Sequence, residues 1–120
     1  MHEALFAAGL VPPYVLVGLS LGGPFVRVFT VRYPSEVRAL VLVDPAHERF
    51  FERVQRDPPE LGRLWTDVNR AWAAQMPTAR HIVVPGSGHK IQVDQPAFVA
   101  KIIRNVVERA QTGDSRPPRP

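Results

Sequence analysis

The sequence predicts an α/β fold: a minimal core of about three parallel strands flanked by helices. Three observations predict it. Apolar runs of strand length, at residues 14–17, 37–43 and 81–84, alternate with longer stretches of helical periodicity. The second run is almost unbroken Val, Leu and Ala, as expected of a parallel strand covered on both faces. Between the first run and the first long helix stands Gly18-Leu19-Ser20-Leu21-Gly22, a G-x-S-x-G sequence in a strand, sharp turn, helix context.

The elements follow in order. Residues 3–8 predict a short helix stopped by Gly9, and Pro12-Pro13 sets the approach to the first strand. The turn after that strand demands small residues, because strand and helix converge on it; Gly18, Gly22 and Gly23 meet that demand. A helix then starts near Leu21, its apolar positions Leu21, Phe25, Val28, Phe29 and Tyr33 recur near 3.6 residues, and Pro34 ends it. After the second strand, residues 45–57 carry Phe50, Phe51 and Val54 in a weaker helical pattern broken by Pro58-Pro59. Residues 60–75 predict an amphipathic helix with Leu61, Leu64, Trp65, Val68 and Trp72 on one side. The third strand runs into Pro85-Gly86-Ser87-Gly88-His89. Asp94 is placed to N-cap a last helix with apolar pairs Phe98/Val99, Ile102/Ile103 and Val106/Val107. Residues 1–110 read as one core, and residues 111–120, with three prolines and no apolar anchor, as a disordered tail.

Composition bounds the function. The chain has 120 residues, 45% hydrophobic and 22% charged, with a formal net charge of +4. Its basic residues are scattered rather than clustered with aromatics, which argues against nucleic acid as a partner. There is no cysteine, so disulfides, thiolate metal sites and a cysteine nucleophile are excluded. The amino terminus lacks the basic start and cleavage site of a signal peptide, and no apolar run reaches the ~20 residues of a membrane span. A cytoplasmic location is the expectation. The histidines and acids show no ligand-like spacing, and no cofactor is expected.

In a parallel sheet the segments following each strand gather along one edge, where such sheets place their ligand sites. Ser20 follows the first strand, Asp44 ends the second and His89 lies after the third. A serine hydroxyl needs an adjacent base to take its proton, and an imidazole with an unperturbed pKa near ~6.5 does so near neutrality. A carboxylate behind the ring fixes the tautomer and stabilises the imidazolium. His2 at a frayed terminus, His47 at a loop or helix start and His81 at a strand start read as surface or structural, leaving His89 as the base. For the acid, Asp44 has the better place, with Asp94 second; an Asp before Pro45 also serves as an ordinary turn cap. The positions of Asp57 and Asp67 are not set by the pattern.

The segments from Pro13 to Gly23, from Tyr33 to Pro45 and from Pro85 to Pro96 resemble three successive blocks of α/β-hydrolase-fold serine esterases and lipases. The resemblance implies Ser20 as nucleophile, His89 as base and the Leu21 backbone N–H as an oxyanion donor. Against that family the chain is short. Nothing corresponds to the early strands and their second oxyanion donor, and the stretch between Asp44 and His89 is too short for the usual cap and acid-bearing strand. In a subset of the family the acid ends the strand after the nucleophile helix, as Asp44 does. Dehalogenases and epoxide hydrolases carry aspartate where this chain has Ser20.

The resulting expectation is a hydrolase of short-chain esters with an open site; thioesterase, lactonase, amidase and perhydrolase chemistry use the same turn. The competing expectation is a non-catalytic remnant serving assembly or binding. Unpaired strand edges in so short a sheet predict a homo-oligomer that covers them.

Overall fold

The computed structural model describes residues 1–46, 61–76 and 78–113. Of the helix expected over 45–57 only Pro45 and Ala46 are described, and neither is helical; the rest of it, with His47 and Asp57, and the last seven residues of the expected tail lie outside the described residues. Helix α1 (His2–Ala7) ends at Gly9, which takes φ +70°. Strand β1 (Tyr14–Leu19) continues two residues past the expected end. Helix α2 (Gly22–Arg32), a 3₁₀ turn (Pro34–Glu36) and strand β2 (Val37–Val43) follow. Beyond the second strand come α3 (Leu61–Ala73), the short α4 (Ile91–Asp94) and α5 (Pro96–Thr112).

β1 and β2 pair in parallel, from Tyr14 opposite Val37 to Leu19 opposite Val43, with one irregularity after Tyr14. Among the described residues the sheet has these two strands and no third. Residues 81–84 run without ladder pairing, a correction to the expected strand. β2 and this segment both line a cavity of about 1180 Å³, shared with side chains of α3 and α5, and no ladder bond joins the two among the described residues.

α2 packs over β1, and of its expected apolar positions it buries Phe29 but not Leu21, Phe25 or Val28. Gly23 and Val26 are buried with it. The turn decides this. A Cβ on Gly18 would stand 2.7 Å from Val26 Cγ2 and 2.9 Å from Gly23 Cα, so helix and strand touch at those positions. Val41, Val43 and Ala46 complete the most buried set. The amino terminus is anchored rather than frayed: the His2 ring stacks on Tyr33 at 4.3 Å, and its Nε2 lies 3.1 Å from both carboxylate oxygens of Glu36. Gln111 and Thr112 belong to α5, with Gly113 (φ +73°) closing it, so the last helix continues two residues into the expected tail. Among the described residues no helix is long and apolar enough to cross a membrane.

Candidate active site

Because Leu19 pairs with Val43, both strands end at the same level, and the residues after them emerge side by side. Ser20 and Asp44 are those residues. Both take positive φ, +48° and +42°, in the left-handed region that non-glycine residues rarely occupy. The two turns are sewn together. The Ser20 N–H donates to Val43 O at 3.2 Å, and the Ser20 carbonyl accepts from Gly23 N–H at 3.0 Å and Ala46 N–H at 2.9 Å. Gly23 is required where they touch, since a Cβ there would fall 2.5 Å from Pro45 Cβ. Gly22 has open space instead, so its expected steric role is not found.

His89 arrives from the loop between residues 84 and 91. Gly86 turns the chain with φ +72°. The Asp94 carboxylate then ties the loop down, its Oδ2 accepting from Ser87 Oγ–H at 3.2 Å and from Gly88 N–H at 2.9 Å. That is Asp94's place; α5 begins at Pro96 behind Gln95, with no side-chain cap. The restrained loop lays the imidazole between the two turns. His89 Nδ1 is 2.5 Å from Asp44 Oδ2, and His89 Nε2 is 3.1 Å from Ser20 Oγ. An ionised carboxylate only accepts, so Nδ1 carries the proton and Nε2 is left to accept from the serine hydroxyl.

Asp44, rather than Asp94, meets the ring. Its second oxygen, Oδ1, accepts the indole Nε1–H of Trp65, which reaches over from α3. The same indole stands edge-on to the imidazole, with centroids 5.7 Å apart and planes at 83°. Sequence reading placed Trp65 only on an apolar helix face; the site contact had no local signal. Asp67 lies elsewhere, paired with Arg70 on the exposed side of α3. The His89 side chain is 53% exposed and Asp44 20%, so the site opens to solvent on the histidine side. His81 lines the cavity beyond β2, and burial, then the Arg70 charge, lowers its pKa below the usual 6.5. Among the described residues no three His, Asp or Glu side chains gather as metal ligands would.

A model of the alpha/beta hydrolase fold matches residues 1–67, more than half of the 120. The chain belongs to the alpha/beta hydrolase fold family. The matched stretch of this α/β hydrolase includes Ser20 and Asp44, whereas His89 comes from beyond it. No curated protein and no solved structure matches the chain.

Proposed function

We propose that this α/β hydrolase is a serine carboxylic ester hydrolase acting on short-chain esters, with Ser20 as nucleophile, His89 as general base and Asp44 as the acid behind it. The observation that carries the reading is the continuous pair of contacts, 3.1 Å from Ser20 Oγ to His89 Nε2 and 2.5 Å from His89 Nδ1 to Asp44 Oδ2. In this reading Oγ attacks the ester carbonyl as its proton passes to Nε2, and Asp44 stabilises the imidazolium. The carbonyl oxygen becomes an oxyanion, held by the Leu21 N–H where α2 starts. The first turn of that 11-residue helix carries no acidic side chain to cancel its positive end. Collapse breaks the bond to the alkoxy group, which leaves as alcohol with the proton from His89. An acyl group remains on Ser20. Water, giving a proton to Nε2, attacks the acyl carbon; collapse frees the carboxylic acid as the proton returns to Oγ.

Solvent access at His89 supports small, activated esters as substrates. Ser20→Ala is expected to lower hydrolysis of p-nitrophenyl acetate by about 10³-fold or more and to abolish fluorophosphonate labelling. Equal rates in parent and variant would end the reading.

The alternative role, a non-catalytic assembly or binding module, draws on the outward row Leu21, Phe25, Val28 and Val31, each more than half exposed. That row also supports a homo-oligomer of the enzyme itself, a second copy covering α2. A folded parent whose Ser20 takes no fluorophosphonate would favour the module.

A further inference from the structure

A carboxylate at the end of a short side chain turns easily, because its terminal torsion is broad. One hydrogen bond to His89 therefore does not fix how Asp44 presents its oxygens. The second bond comes from α3. We infer that Trp65 is a positioning residue for Asp44 and His89: its indole N–H holds Asp44 Oδ1 so that Oδ2 faces His89 Nδ1, and its ring edge covers one side of the imidazole. This rests on the proposed reading of Ser20, His89 and Asp44 as the hydrolytic machinery.

Trp65 is itself held in place. One turn further along α3, Asn69 is 9% exposed, and its Nδ2–H₂ group donates to Pro45 O at 3.3 Å and to Trp65 O at 3.1 Å. The helix thus grips two consecutive residues of the acid turn, Asp44 by its side chain and Pro45 by its carbonyl. Such a grip is what a left-handed Asp44 requires, since strained backbone persists only where its surroundings over-determine it.

Trp65→Phe keeps a ring against His89 and deletes the N–H. Expected is a ~10–100-fold fall in kcat on p-nitrophenyl acetate, the scale of a hydrogen bond to a charged group, with KM unchanged. A fall confined to kcat, with KM held, is what a purely structural loss does not produce. A folded variant with parental kcat overturns the inference. If the variant does not fold, the parent decides. The chain has two tryptophans, so ¹⁵N-labelled protein gives two indole N–H signals, and that of Trp65 must shift in Asp44→Asn. An unmoved signal also overturns the inference. Fluorophosphonate labelling of parental Ser20 tests the underlying reading separately. An unlabelled parent whose indole signal still answers to Asp44 means that the contact exists but the hydrolytic reading, and the positioning role with it, is wrong.

Discussion

At the scale of the residue, Ser20 and Asp44 each hold a backbone conformation that costs a non-glycine residue about 1–3 kcal/mol. Neither turn stands alone. Ala46, 3% exposed, donates its N–H to the Ser20 carbonyl, and Pro45 fills the space that a glycine at position 23 leaves open. The serine turn and the acid turn are one packed unit, so disturbing the contact between them disturbs both. Gly23→Ala is expected to destabilise by about 1–3 kcal/mol through overpacking against Pro45, and to slow fluorophosphonate labelling of Ser20. Gly22→Ala, in open space on the same helix, is expected to be neutral or to stabilise by up to about 1 kcal/mol. Urea unfolding of the two variants compares them directly; equal midpoints would contradict the packing described. The G-x-S-x-G pattern draws the eye to Gly18 and Gly22, yet the close approaches fall at Gly18 and Gly23. A motif records spacing, while the clash is with Pro45, which is 22 positions farther along the chain.

At the scale of the element, the amphipathic pattern of α3 was legible, and the helix forms within two residues of its expected bounds. Its placement over the acid turn was not, because the partners of Trp65 and Asn69 lie about twenty positions upstream and leave no local trace. Asp94 shows the same limit: an aspartate two residues before a proline helix start reads as a cap, but its carboxylate turns back to the histidine loop. His81 adds a pH dependence at the segment lining the cavity. Its folded pKa lies below 6.5 because burial, and then Arg70, disfavour the charged ring. The unfolded chain therefore binds this proton more readily, and the stability His81 contributes is complete above pH 6.5 and lost as pH falls through the folded value. His81→Gln is expected to lose less stability than the parent when urea unfolding is repeated from above to below pH 6.5. Parallel losses in the two would refute this.

At the scale of the whole molecule, the described core is thin and its apolar surface generous. Among the described residues the most enclosed side chains, Ala46 and Phe29, keep 3% and 4% of their surface exposed, while Phe6, Phe25, Val28 and Val31 are each more than 60% exposed. Apolar faces left bare in this way are where chains associate. Val31→Glu, on the outward row of α2 and far from its first turn, is expected to shift a homo-oligomer to monomer in sedimentation at micromolar concentration without lowering labelling of Ser20. A parent already monomeric there would remove the oligomer. Periodicity pointed to Leu21, Phe25, Val28, Phe29 and Tyr33 as the apolar face of α2, and of these only Phe29 is buried. The tight turn onto β1 brought Gly23 and Val26 inward with it.

What the sequence by itself determined is local: two parallel strands, the turn that exposes Ser20, and the helices around them, because strand and helix periods and glycine spacing act within a few residues. That reading extended to His89 on a loop delivered to the same rim. The tertiary structure decided which acid meets the imidazole, which face of α2 is buried, and that residues 81–84 do not pair. It also brought Trp65 onto Asp44. Each of these depends on contacts between segments distant along the chain, where burial and hydrogen bonding among already formed elements, rather than local propensity, set the outcome.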